Sequence, residues 1–124
     1  MKRAFLLILT LGLFLLTACG GASDDAAIRA GRELYETGGA SKIPCATCHT
    51  LDGTPLVGPS FKGLSERAGS RIPGMSAEDY IHQSILNPGA YIVEGYQNSM
   101  NNTYAQFFSE EDINNLTAFL LSIE

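Results

Sequence analysis

The sequence lacks tryptophan and has only three cysteines and two histidines in 124 residues. A closed zinc site needs four Cys or His ligands, and Cys19 and His82 lie far along the chain from the other three. Structural zinc is therefore disfavoured. Branched apolar residues are also few for this length, which predicts that the polypeptide alone forms only a marginal core.

Positive charge is scarce as well. Lys and Arg total 8 against 13 Asp and Glu, and two of those cations, Lys2 and Arg3, lie at the N-terminus. If residues 1–18 are removed on export, six cations remain against the same 13 acids, a net charge of about −7. Binding to nucleic acid phosphates needs a basic face, so we expect no nucleic acid partner.

The one sustained apolar run covers residues 4–16, directly after Lys2 and Arg3. This is the layout of a secretory signal, and the run falls short of the roughly 20 residues that span a bilayer. The segment that follows, Leu16-Thr17-Ala18-Cys19-Gly20, resembles the lipobox of bacterial lipoproteins. The resemblance implies a signal peptide over 1–18, a lipid on Cys19 and a tether over 19–24. The alternative is an ordinary signal peptide with an incidental cysteine.

The chemistry of the chain is concentrated in Cys45-Ala46-Thr47-Cys48-His49. The pattern C-x-x-C-H is typical of c-type haem attachment, because two thiols one turn apart add to the two haem vinyl groups and the adjacent imidazole ligates the iron. A thioredoxin-like dithiol would need a strand before the motif, where this chain has Gly38-Gly39. A plain disulfide would leave His49 without a role.

Helical periodicity predicts an all-α fold. We expect a first helix capped by Asp24 and Asp25 and running to about residue 37, with Gly31 as a helix-crossing point. A last helix starts at a capping box, Ser109 to Asp112. Its expected apolar stripe is Ile113, Leu116, Leu120 and Leu121, with Phe119 beside the stripe.

Two shorter helices are predicted between the terminal ones. The first covers residues 60–68, and the second begins at a capping box, Ser76 to Asp79, and ends at Asn87 before Pro88. Residues 51–59 form a loop that either passes the imidazole side of the haem, with a carbonyl near Pro59 accepting the ring N–H, or lies on the surface away from it. The crossed terminal helices would enclose the haem.

The residues alone do not decide which side chain is the second axial ligand. Met100 is a thioether on an irregular segment, residues 95–102, where a ligand to the second haem face is readily delivered. Met75 lies just before a helix cap, where methionine often fills a packing gap, and His82 lies within a helix and is expected to face solvent. An open coordination position is the remaining alternative.

The order of these motifs, ending with Asn87-Pro88, Gly95-Tyr96, Met100 and an apolar helix, resembles class I cytochromes c. Residues 91–96 are similar to the cytochrome c domain fused to subunit II of some haem-copper oxidases. The resemblance covers residues 25–124. It implies one covalent haem c with thioethers at Cys45 and Cys48, axial ligands His49 and Met100, and a Pro59 carbonyl supporting His49.

The implied function is electron transfer rather than enzymatic catalysis, with single electrons carried between respiratory or photosynthetic chain components. Implied partners are a quinol-oxidising complex and a terminal oxidase or photosynthetic reaction centre, with the protein anchored on the outer (periplasmic or extracytoplasmic) face of a bacterial membrane. The alternative is a haem-based sensor or small-ligand-binding protein with a labile Met ligand. Many relatives have proline after the ligand methionine, so Asn101 predicts a looser Met100 loop.

Overall fold

The computed structural model describes residues 21–124. In this range the chain forms helices and turns without a β-strand, which confirms the predicted all-α class. The α-helices, in chain order, are α1 (Gly21–Thr37), α2 (Leu64–Arg67), α3 (Ala77–Leu86) and α4 (Glu110–Leu121). The predicted signal peptide and Cys19 lie outside the described residues.

Helices α1 and α4 cross at Gly31, as predicted. A Cβ atom on Gly31 would lie 2.6 Å from the carbonyl carbon of Asn115 and 2.7 Å from Cβ of Phe119, so only glycine allows this approach. Phe119 was expected beside the apolar stripe, and that prediction is wrong. Its side chain is 0 % exposed, because the close approach of the two backbones covers it.

Two predicted helix boundaries are also wrong. The first helix begins at Gly21 rather than at the Asp pair, so part of the predicted tether is helical and Asp24 lies in the first turn, where its charge still favours the helix dipole. The helix predicted over residues 60–68 is confined to Leu64–Arg67 and continues as a 3₁₀ turn, Ala68–Ser70. Gly63 has a φ of 64°, which prevents the helix from starting earlier.

The later helices begin where the sequence predicts. Ser109 and Asp112 form the full capping box at α4, each side chain bonding the other residue's backbone N–H. At α3 the Ser76 hydroxyl accepts from the Asp79 N–H, but the Asp79 carboxylate accepts from the Ser76 hydroxyl instead of its backbone, so only half of that box forms. Asn87 leaves helical geometry before Pro88 and ends α3 at Leu86.

The buried core joins the terminal helices to the middle of the chain. Its apolar members are Tyr35, Leu64, Ala68, Tyr80, Ile81, Ile85, Tyr104, Phe108, Ile113, Leu116, Phe119 and Leu120. Most of them also border one open cavity, so the core is arranged around that cavity rather than closed on itself. Across residues 21–124, the helices are all too short or too polar to cross a membrane.

Candidate functional site

The C-x-x-C-H motif forms a tight turn on one wall of the cavity. Cys45–Thr47 is a single 3₁₀ turn, and the backbone N–H groups of Cys48 and His49 donate to the carbonyl oxygen of Cys45 at 3.1 and 2.9 Å. Both thiols are unpaired and both border the cavity. The turn thus presents two sulfur atoms and the imidazole to the same space, as the spacing predicts.

The His49 imidazole is fixed by a single hydrogen bond. Its Nδ1 donates to the carbonyl oxygen of Pro59 at 2.7 Å, the contact that the family resemblance implied. Burial lowers the pKa of His49, while the bond to Pro59 opposes this shift. The ring is therefore neutral near pH 7, and Nε2, the nitrogen that does not bond Pro59, keeps a lone pair for a metal.

The loop of residues 51–59 packs on this imidazole and is not a detached surface turn. A Cβ atom on Gly58 would lie 2.7 Å from Nδ1 and 2.8 Å from Nε2 of His49. The Phe61 ring stacks on the imidazole with a centroid distance of 4.3 Å and an interplanar angle of 11°. Together these contacts fix the plane of the ring.

Tyr35 ties helix α1 to the motif, a contact that sequence reasoning missed. Its hydroxyl donates to the backbone carbonyl oxygen of His49 at 2.7 Å, and its ring lies 5.5 Å from that of Phe119. The available signal was a tyrosine on the apolar face of a helix, since a buried tyrosine hydroxyl usually finds a hydrogen-bond partner. Tyr35 therefore contacts both the C-x-x-C-H motif and the crossing of helices α1 and α4.

The three candidates for the second axial ligand separate clearly. Met100 borders the cavity that contains His49, and Met75 and His82 do not. Met75 packs against the core from outside the cavity, while His82 is half-buried in a groove formed with residues of α4, such as Thr117. The expectation that His82 faces solvent is therefore only partly met.

Among residues 21–124, two arginines border the cavity, and no aspartate or glutamate does. Arg67 donates to the backbone carbonyls of Ser60 and Lys62. Arg71 has a buried Nε atom without a hydrogen-bond partner. Burial and, after it, the positive charge of Arg71 lower the pKa of Arg67, while Tyr80 and Glu66 oppose this shift, so the two cations lie near each other. Sequence reasoning did not identify this pair.

The alternative chemistries of a C-x-x-C motif find no support here. Burial raises the pKa of Cys45 to about 11, whereas a redox-active dithiol needs a lowered pKa to form thiolate. Within residues 21–124, no group of three or more Cys, His, Asp or Glu side chains is placed to hold a metal ion such as zinc.

Residues 28–124 match the cytochrome c family model. The chain belongs to the cytochrome c family. This cytochrome accordingly binds covalently attached haem c, a single group in a chain of this size, and its domain serves haem-based electron transfer. Members of the family are typically electron carriers, and their domains usually face the periplasm or the cell exterior. Among the curated proteins compared, none matches the chain.

The cavity of the cytochrome suits the apolar ring of a haem as well as its anionic propionates. Its walls are largely apolar, and Gly58 supplies a position without a side chain beside the imidazole. The unpartnered Nε of Arg71 lacks an acceptor that a propionate carboxylate would provide. None of the 13 acidic residues, all of which lie within residues 21–124, borders the cavity, and their absence from its walls favours an anionic ligand.

Proposed function

We propose that this cytochrome is a class I, single-haem electron carrier in which Cys45 and Cys48 form the thioethers and His49 and Met100 are the axial ligands. One observation carries the proposal: His49 and Met100 border the same cavity, while the rival ligands Met75 and His82 lie outside it. A histidine and a methionine on one iron leave no open position for a substrate, which is the arrangement of a carrier rather than an enzyme.

Bound haem supplies a one-electron iron couple, and the protein tunes its potential. His49 contributes a neutral imidazole whose basicity is raised by the hydrogen bond to Pro59. Met100 contributes a thioether, which raises the potential, as does the apolar lining of the cavity. Arg71 adds a positive charge beside the cavity, and this charge favours the reduced state.

Electrons would pass through an apolar rim of the cavity formed by Ile43, Val57 and Ile92. These side chains border the cavity and are 39 %, 59 % and 40 % exposed, so they are accessible to a partner protein. The acidic net charge of the chain favours partners with a basic docking surface. We propose a quinol-oxidising complex as donor and a terminal oxidase or photosynthetic reaction centre as acceptor.

A lipid on Cys19 would hold the carrier on the outer face of a bacterial membrane. The support is the sequence Leu16-Thr17-Ala18-Cys19-Gly20 at the end of the apolar run. Several acyl chains on one residue anchor a protein stably, since each buried CH₂ contributes about 0.8 kcal/mol. Anchoring would raise the effective concentration of the carrier beside membrane complexes without new contacts.

Electrochemistry combined with carbon monoxide binding tests the proposal. A carrier gives a reversible one-electron wave, and its reduced form binds carbon monoxide slowly because Met100 must first leave the iron. Rapid binding by the wild-type protein would instead support a haem sensor with an open or labile position. Binding that is slow in wild type and equally slow in Met100→Ala would exclude Met100 as the ligand.

A further inference from the structure

The segment that carries Met100 is closed by a side chain rather than by a proline ring. Oδ1 of Asn101 accepts a hydrogen bond from the backbone N–H of Thr103 at 2.8 Å and a second from the Thr103 hydroxyl at 2.7 Å. An asparagine that bonds two residues ahead forms a compact turn of its own. The Met100 loop is therefore more constrained than the lack of a proline at position 101 predicts.

The Asn101 turn, residues 101–103, restricts the backbone directly after Met100. Proline fixes a backbone dihedral covalently, whereas the carboxamide restricts the chain through two donors on one residue. Asn101 and Thr103 are both half-buried, so water competes less well for these bonds than it would at an exposed turn.

The turn is also attached to a second segment that borders the cavity. Thr103 leads directly into the 3₁₀ turn Tyr104–Gln106, where the Tyr104 ring is buried and stacks on Phe108 at 5.2 Å. The Tyr104 hydroxyl donates to the carbonyl oxygen of Ile43 at 3.3 Å, two residues before Cys45. The Met100 segment is therefore connected to the segment that carries the thiols.

We infer that Asn101 is a positioning residue that keeps Met100 in place toward the iron, and this inference rests on the proposed role of Met100 as an axial ligand. By limiting the backbone of the turn, Asn101 lowers the population of the form in which the thioether has left. It thereby keeps the iron closed to small ligands and suits the site to electron transfer.

The test compares variants of the full-length haem protein by their rates of carbon monoxide binding in the reduced state. Asn101→Ala should bind carbon monoxide about fivefold faster or more, the effect of losing one or two net hydrogen bonds. Asn102→Ala is the matched control, since Asn102 is exposed and its side chain makes no hydrogen bond with any residue of the described range, 21–124. Asn101→Asp retains the acceptor oxygen and should restore the slow rate.

Two further measurements separate the outcomes. In the oxidised protein, the thioether-to-iron charge-transfer band of Asn101→Ala should disappear on heating well before global unfolding, and at a lower temperature than in Asn102→Ala. Equal rates and equal band temperatures for these two variants would overturn the positioning role. A Met100→Ala variant that binds carbon monoxide as slowly as wild type would instead refute Met100 as the ligand.

Discussion

The Cα atom of Gly31 faces the backbone of Asn115 so closely that an added Cβ would lie 2.6 Å from the Asn115 carbonyl carbon. Gly31→Ala should therefore destabilise the protein by about 1–3 kcal/mol, the usual cost of overpacking. Helix propensity alone predicts the opposite sign, a gain of about 1 kcal/mol. Gly69→Ala is the control, because its Cβ would lie at an ordinary 3.7 Å from Ala77. The free energy of unfolding, measured with denaturant, shows whether Gly31→Ala loses or gains stability.

Gly58 should also be intolerant of a side chain, and here the expected consequence is a change in the reduction potential. A Cβ atom there would press on the His49 ring, at 2.7 Å from Nδ1, and displace it from its bond with Pro59. A less basic, displaced imidazole stabilises ferric iron less well, so we expect the reduction potential of Gly58→Ala to rise. A potential equal to that of Gly69→Ala would contradict the packing described for His49.

Arg71 should set part of the potential through its charge. Arg71→Gln removes a cation at the cavity wall, which favours the oxidised state and should lower the potential by on the order of tens of millivolts. Arg29→Gln changes the net charge of the chain by the same amount at an exposed position of α1 that does not border the cavity. Redox titration of both variants at low salt would refute the special role of Arg71 if the two shifts were equal.

The burial of Tyr104 should make the protein lose stability at alkaline pH. The pKa of Tyr104 is raised to about 12, chiefly by burial, and burial still acts once the Cys45 and Cys48 thiols, which add to the shift, are thioethers. The unfolded state releases the Tyr104 proton near pH 10, so this stabilisation is complete below pH 10 and declines as the pH rises towards 12. The free energy of unfolding, measured across this pH range, should depend less steeply on pH in Tyr104→Phe than in wild type. Parallel curves would show that the burial of Tyr104 has no such effect.

Cys19→Ala should release the protein from membranes while leaving its haem spectrum unchanged. The reason is that the substitution removes the proposed acylation site and leaves the proposed haem-binding residues Cys45, Cys48, His49 and Met100 unchanged. Membrane fractionation with intact-mass analysis measures both the location and the lipid. Continued sedimentation of the variant with membranes would contradict lipid anchoring through this residue.

The sequence alone predicted those features that are encoded locally. The C-x-x-C-H turn, the capping box at Ser109 and the crossing glycine Gly31 each depend on a few neighbouring residues or on one missing side chain. The family resemblance added the Pro59 carbonyl, which accepts a hydrogen bond from the His49 ring at 2.7 Å.

Features that depend on long-range packing were not predicted. The burial of Phe119 follows from how closely two helices approach, and the bond from Tyr35 to His49 follows from where their crossing places α1. The partnerless Nε of Arg71 exists only once the cavity has formed. The Asn101 turn is local but was not predicted, because an asparagine in a polar segment is compatible with a loose loop as well as with a turn closed by its own side chain.

The most direct test of the central claim is the near-infrared spectrum of the oxidised protein and of three variants. If His49 and Met100 ligate the iron, the thioether-to-iron charge-transfer band is present in wild type, Met75→Ala and His82→Ala and absent from Met100→Ala. Intact mass should show one covalent haem in all four proteins. A band that survives in Met100→Ala, or a wild type that lacks it, would contradict the proposed ligand pair.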